Sequence, residues 1–469
     1  MRDSTTTQNK RDGDPGSGAD AHDVRDLTQG DVSRHMLRLS GFMMISMISF
    51  TIASLVETLY IGWVGTNQLA AISFTFPVVF TLQGVSMGLG IGASSVVARV
   101  IGTGDRSRVR RLVTHGLILG TGISVLLAIA ASYALADIFT LLGAKGEVLE
   151  HILLYMRVWL IGMPVFTMTF VGTTLMRATG DAKTPGYLSA LGSILHMALA
   201  PPCIFGWGPI PAMGLEGAAV SFVVARQLAF FLFIYCIAVR DRLLLFSLTG
   251  FGASCRDILH VGLPAMASNM IMPVSMSILT RLLAGHGVFV VAGFGVASRI
   301  ESLLVMVIWA VGMSIAPLVG QNWGASQYER VRLAMKIGNT FVLVWGAFAY
   351  LTFVVIGRWL VSLLNNDPEV VEMAYQYLLI APIGVGFMGI MNIATNSFNA
   401  LGKPMPPLIL SVLQMIVVNI PLILLGNYLW GYRGVYAGSV VTTVLLSVVA
   451  WWWILRTIEQ GRLSTATEG

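Results

Sequence analysis

Twelve times along this 469-residue chain a predominantly apolar stretch runs long enough to cross a hydrocarbon core of about 30 Å. The stretches cover approximately 37–62, 70–98, 112–138, 150–176, 186–206, 213–239, 258–283, 288–321, 337–363, 370–399, 405–428 and 433–456. In lipid every backbone N–H and C=O must be satisfied within the protein, which restricts spanning structures to helices and closed barrels. These stretches are too long and too evenly apolar for barrel strands. The predicted fold class is therefore all-α, a polytopic membrane protein with twelve transmembrane helices. Charge content agrees: 11% of residues are charged, against about 25% in soluble chains. The polar opening, residues 1–34, carries acids, glycines and serines ahead of an apolar stretch too long for a signal-peptide core. It reads as a disordered cytoplasmic arm.

The net charge of +6 is first of all a topology signal, not a mark of nucleic-acid binding. Turns from odd to even stretches carry almost no Lys or Arg, Lys145 being the exception. Turns from even to odd stretches are basic: Arg99, Arg106, Arg108, Arg110 and Arg111, then Arg177 and Lys183, Arg240, Arg242 and Arg256, Arg330, Arg332 and Lys336, and Lys403. Arg25 and Arg34 precede the first stretch and Arg38 stands at its start, and Arg456 and Arg462 follow or close the last. By the positive-inside rule both ends lie in the cytoplasm, for a multi-pass protein of the plasma membrane.

Loop motifs recur at a constant spacing. Gly90–Gly102 (GIGASSVVARVIG) aligns with Gly312–Gly324 (GMSIAPLVGQNWG), and Gly180–Pro185 with Gly402–Pro407, both at an offset of 222; Gly214 and Gly434 open a third pair at 220. This is the signature of a duplicated six-helix unit. Six crossings return the chain to its starting side, so the halves run parallel about an axis along the membrane normal. The expected division is a tail 1–34, an N-terminal lobe 35–245, a C-terminal lobe 246–457 and a tail 458–469. Two like bundles facing across such an axis form a central cleft, which rocking exposes to either side in turn: a transporter plan. The bland alternative is an old duplication within a static scaffold.

One acid stands in the outer half of the first stretch, Glu57 in IASLVETLYIGWVGTNQLAA. An ionisable group at that depth costs roughly 2.5–3.5 kcal/mol on insertion scales and marks a functional site by default. A helix-anchoring pair is the competing reading.

The segments VETLYIGWVGTNQLAA, GASSVVARVIGTGDRSRVRR, LMRATGDAKTPG, GPIPAMGLEGAAV, PLVGQNWGASQYERVRLA and FNALGKPMPPLILS resemble the signatures of the multidrug and toxic compound extrusion (MATE) transporters. They cover nearly all of the chain beyond residue 34. The resemblance implies a two-lobed fold and export of cationic, amphipathic compounds (drugs, toxins, dyes) in exchange for protons or sodium ions. It also puts the family's first-helix acid, usually Asp, on Glu57 of Val56-Glu57-Thr58. The fifth-helix Asn and Asp fall on His196 and Ala200, and spacing of four keeps that pair on one helix face, so His196 remains able to approach Glu57. The acids of another branch fall near Met272 and Ile390 and are absent. The chain thus resembles branches whose coupling acid lies in the N-terminal lobe.

These departures favour protons. Sodium needs several oxygen ligands, whereas a proton needs one group able to take it up at the working pH, and a carboxyl held away from water is such a group. No other cofactor and no metal are expected, and Cys203, Cys236 and Cys255 are read as structural. Histidine's ordinary pKa near 6.5 makes His196 a second proton site or, as lone core histidines usually are, a hydrogen-bonded packing residue. The expected cleft lining is Tyr60, Phe74, Phe76 and Phe166 in the first lobe and Met266, Asn269, Met270, Met272, Met276 and Trp309 in the second, since thioethers and aromatic faces suit varied cations. Pro264 and Pro273 are candidate hinges. Arg157 and Arg281 reach the interface from helix ends. Arg299 and Glu301, two apart, do not share a face, and Arg226 reads as an anchoring residue or a partner for Glu57. The expected partners are small organic cations and membrane lipid, not nucleic acid, for a monomer. Competing functions are a sodium-coupled exporter, a lipid or lipid-linked oligosaccharide flippase, which needs a cationic cleft, and an intramembrane enzyme, which needs a His/Asp or His/Ser constellation that is not evident; no enzymatic activity is expected.

Overall fold

The structure is a computed structural model that describes residues 26–468, without the side chains of Thr66, of residues 272–274 and of residues 465–468. Helices make up almost all of it. They are α1 (Val32–Val64), α2 (Thr66–Gly102), α3 (Arg106–Leu141), α4 (Gly146–Ala178), α5 (Lys183–Phe205), α6 (Leu215–Arg240), α7 (Phe251–Ala284), α8 (Val288–Gly324), α9 (Tyr328–Ser362), α10 (Pro368–Ala400), α11 (405–430) and α12 (431–468). Eleven uninterrupted apolar helical runs are long enough to span a membrane, and the last, Met405–Ser464, is two crossings. It breaks at Trp430 and Gly431, where φ of +61° at Gly431 suits a residue without Cβ and reverses the chain. The chain is thus a multi-pass membrane protein of twelve spanning helices. Proline leaves its mark inside α10, where the missing N–H of Pro382 coincides with a tight 3₁₀ turn over Ala381–Gly384.

Polar motifs at helix ends have local jobs. Asp31 caps α1 by accepting from the N–H groups of Ser33 and Arg34, and hydrogen bonds from Ser33 hold its carboxyl below the usual range. In the turn before α5, Asp181 accepts from the Thr184 N–H and from Arg240 Nη2 at 3.0 Å, which ties the α4–α5 turn to the end of α6. The corresponding end of the molecule, which carries both described termini and the basic turns, is called the basic end below.

The lobes meet by repeat-equivalent residues. Ser40 of α1 hydrogen-bonds Ser314 of α8 at 2.9 Å, and the same positions of the other repeat, Gly262 of α7 and Gly92 of α2, are also in contact. At the end of α2 a Cβ on Gly102 would stand 2.2 Å from the carbonyl oxygen of Gln321, and a Cβ on Gly324 would stand 2.0 Å from that of Arg99. Those contacts are reciprocal under the offset of 222, so α2 and α8 cross on the pseudo-twofold axis, with backbone against backbone. Without an apolar driving force between helices in lipid, such close approach of small residues and hydrogen bonds between helices must hold the lobes together.

Two expected boundaries change. The arm expected over 1–34 is anchored at its end: Leu27 is fully buried and its backbone is held by the C-terminal lobe, its N–H donating to Gln321 Oε1 at 2.9 Å and its carbonyl accepting from Asn322 Nδ2 and Arg330 Nη2. Gln321 Nε2 in turn donates to the Ala178 carbonyl of α4 at 2.7 Å, so one amide joins the arm to both lobes. Residues 1–25 lie outside the described residues. The tail placed at 458–469 is helical to Glu468, because Ile458 is buried in the C-terminal core and Arg462 pairs with Glu329 of α9 at 2.9 Å.

Gly324→Val should part the lobes at this seam. In a chain whose three cysteines are replaced by alanine, the buried position Ser95→Cys should then react with a thiol reagent about tenfold faster, equivalent to roughly 1.4 kcal/mol of opening. Unchanged labelling would count against the seam as the closing contact.

Candidate functional site

Glu57 of α1 lines a cavity of about 760 Å³, mouth included, enclosed by helices of the N-terminal lobe alone. The side chain is 14% exposed and its Oε1 finds no hydrogen-bond partner in the protein. His196 of α5, 5% exposed, brings its Nε2 to 3.9 Å from that oxygen, so the two expected site residues do converge, at ion-pair distance but beyond a hydrogen bond. Arg226 of α6 lines the same cavity and acts on Glu57 as a positive charge. Its guanidinium lies 5.3 Å from the ring centre of Phe222 and 5.9 Å from that of Phe50, an arrangement in which aromatic faces stabilise a desolvated cation. Arg226 shares the cavity with Glu57, but no ion pair at contact distance joins them and Arg226 Nε has no partner.

Other cavity residues were not anticipated. Tyr155 and Trp159 of α4 form its wall, and Ser54, Thr58, Thr75 and Gln83 add neutral oxygens. Thr58 and Thr75 already donate to the carbonyls of Ser54 and Ile72, so these hydroxyls face the cavity as acceptors.

The expected lining is met only in part. Phe76 lines the Glu57 cavity, and Met276 lines a separate one in the C-terminal lobe. Tyr60, nearly one turn beyond Glu57 toward the end of α1, instead packs with Trp63 and Phe205 near the turn between α1 and α2. Phe166 stacks on Phe170 and reaches the site only through Phe222. Phe74 packs into the N-terminal core and Met266 against Gly88, while Met270 is exposed. Asn269, with its Nδ2 buried and unpartnered, and Trp309, partly buried, line neither cavity. The side chains of Met272 and Pro273 lie outside the described residues. The helix α7 runs on through Pro264.

The C-terminal lobe contains a site that sequence reasoning missed. Glu301 of α8 accepts a 2.6 Å hydrogen bond from Tyr377 of α10 and lines a cavity of about 950 Å³. Tyr436, 2% exposed, packs edge-on against Tyr377 with ring centres 4.9 Å apart. Its hydroxyl and Asn419 Oδ1, also on this cavity, have no partner. The signal was available: Tyr155 and Tyr377 stand 222 apart, so carrying the loop offset into the helices superposes the two cavities. The acids do not superpose, since Glu301 corresponds to Val79 and Glu57 to Leu279. No cluster of three or more metal-ligating side chains occurs among the described residues.

Two six-helix bundles about an axis, each with a polar cavity set in apolar walls, define a two-lobed membrane transporter. Comparison with known proteins names the group. The MatE family model matches residues 43–201 and 264–425, and the chain belongs to that family. It is 30% identical over 447 residues to an FAD transporter of Shewanella oneidensis, covering 95% of this chain and 99% of that one. It is 24% identical to the probable multidrug resistance protein YoeA of Bacillus subtilis, over 85% of this chain and 90% of the relative. The crystal structure of the Vibrio cholerae MATE transporter VcmN in the bent form superposes with a TM-score of 0.88 at 27% identity, covering 92% of this chain and 98% of that one. Transport of small organic compounds across a membrane follows from membership.

Because leaving a buried acceptor without its donor costs roughly 1–3 kcal/mol, Tyr377→Phe should destabilise the C-terminal lobe by about that amount in a denaturant titration in mixed micelles. A loss below about 0.5 kcal/mol would mean that Glu301 is satisfied without the phenol.

Proposed function

We propose that the chain exports amphipathic organic compounds by alternating access in exchange for protons, with Glu57 as the coupling group and both termini in the cytoplasm. The observation that carries this reading is a single carboxyl with an unpartnered oxygen, set in an apolar-walled cavity opposite Arg226. When Glu57 is ionised, Arg226 and a cationic cargo compete for it. Protonation from outside removes the charge that holds the cargo, and release follows. Arg226 also supports the proton over sodium: although neutral oxygens are present, a resident guanidinium repels a bare cation that enters beside it. His196 is the second group placed to exchange a proton with Glu57.

A second reading concerns the cargo alone. The cavity presents a guanidinium, Arg226, as well as the Glu57 carboxyl, and one relative is an FAD transporter. A flavin dinucleotide or a similar aromatic, phosphate-bearing compound is the corresponding cargo.

In proteoliposomes under an imposed pH gradient and without sodium, wild-type protein should move a fluorescent cation, and alkaline conditions on the release side should slow it. Glu57→Gln should reduce the rate by about a hundredfold, near 2.7 kcal/mol in driving force or barrier. Efflux by that variant at the wild-type rate would rule out the mechanism. His196→Asn should shift the pH at which transport is half-maximal; an unshifted profile with lower protein yield would assign His196 to packing.

A further inference from the structure

A third cavity, of about 500 Å³, lies between the lobes rather than within either. Its walls are repeat-equivalent: Thr174 faces the cavity with Asn396, Ser95 with Pro317, and Arg177 with Asn399, each pair 222 apart. A cavity lined in this way sits on the pseudo-twofold axis, just inside the α2–α8 crossing. Its floor on the basic end is the Gln321 amide, which donates to the carbonyl of Ala178, another lining residue.

The axis relates the walls but not their charge. Arg177 is the one ionisable residue on the lining, and its Nη2 donates to Thr174 Oγ1 at 2.7 Å. No carboxylate of the described residues lies within ion-pair distance of it. Its counterpart Asn399, 5% exposed, has an Oδ1 with no partner, while its backbone carbonyl accepts from Ser95 Oγ across the lobe boundary. Arg177 stands in the last turn of α4, partly buried and with no acid beside it, so its guanidinium is open to an anion that enters the cavity. Its planar fork suits a carboxylate or phosphate bound through two oxygens. The free amide oxygen opposite asks for an N–H or O–H of the same ligand.

We infer that this axial cavity is a subsite for the anionic group of the cargo: a phosphate or carboxylate on an aromatic amphiphile is held by Arg177, and a donor of the same molecule is held by Asn399. The assignment rests on the export reading and adds to it the place where the anionic group of the cargo is held. It does not involve Glu57. A ligand held at the lobe boundary touches both halves, so it is released when they part, which suits a site on the transport path.

The test uses two dyes that share a xanthene ring and differ in charge, carboxyfluorescein and rhodamine 6G, with binding to the purified full-length chain followed by fluorescence anisotropy. Carboxyfluorescein should bind, and inorganic pyrophosphate should displace it if the site takes phosphate groups; displacement by benzoate but not pyrophosphate assigns it to carboxylates. Arg177→Gln should weaken carboxyfluorescein at least about tenfold and leave rhodamine 6G within about twofold, while Arg177→Lys retains most of the anion affinity. Equal losses for both dyes, or none for either, overturn the inference. If Arg177→Gln does not fold, the wild-type chain decides: the methyl ester of carboxyfluorescein should bind about tenfold more weakly than the acid, and equal affinity overturns the assignment. Glu57-dependent, proton-driven efflux of rhodamine 6G is scored separately, so either reading can fail without the other.

Discussion

The crossing of α2 over α8 is the contact on which the arrangement of the lobes depends. Gly102 and Gly324 bring two backbones together at equivalent points of the repeat, and the seam there is made of small residues and hydrogen bonds such as Ser40 to Ser314. Apolar clusters continue across this seam, with Val32, Met36 and Leu39 of α1 packed into the C-terminal core and Ile258 and Met266 of α7 into the N-terminal one, so parting the lobes also draws these side chains out of their clusters. Leu27 and the Gln321 amide add a strap at the same end, because both lobes and the arm meet on one side chain. The closed contacts described here all gather toward the basic end, and the Glu57 and Glu301 cavities lie beyond them.

Duplication supplied two equal scaffolds, and the charges were then distributed unequally. The tyrosine of the fourth helix in each repeat, Tyr155 or Tyr377, faces the cavity of its lobe. In the first lobe the acid comes from α1 and meets Arg226 and His196; in the second it comes from α8 and meets phenols. The axial cavity has the same asymmetry, with Arg177 on one wall and Asn399 on the other. Burial makes each of these differences count, because an ion that water would screen instead needs a specific partner.

The twelve spans, the alternation of basic turns and the duplicated unit were all legible in the residues, because lipid imposes a length, a polarity and a side on every crossing. Glu57 was legible for the same reason, as an acid where acids are costly, and the resemblance to MATE transporters brought His196 to it. Trp309, Phe166 and Tyr60 show where that legibility ended. In a helix apolar on all sides, no polar stripe tells which face turns inward, so aromatic residues assigned to a cleft proved to pack elsewhere. Glu301 is not legible locally, because its nearest charge in sequence, Arg299, lies on another face and its partner, Tyr377, is 76 residues away.

What the chain by itself determined is the number of crossings, their common sense and the internal symmetry, all of which follow from hydropathy and spacing along one dimension. Which buried charges share a space was decided only by tertiary structure. Arg226 faces Glu57, and Arg177 faces Asn399 across the axis, through the rotation of each helix about its own axis and the depth at which the lobes interlock. Those two quantities are set by side-chain volume at contacts far apart in sequence, such as Gly102 on Gln321 and Gly92 on Ile258, and no local pattern encodes them.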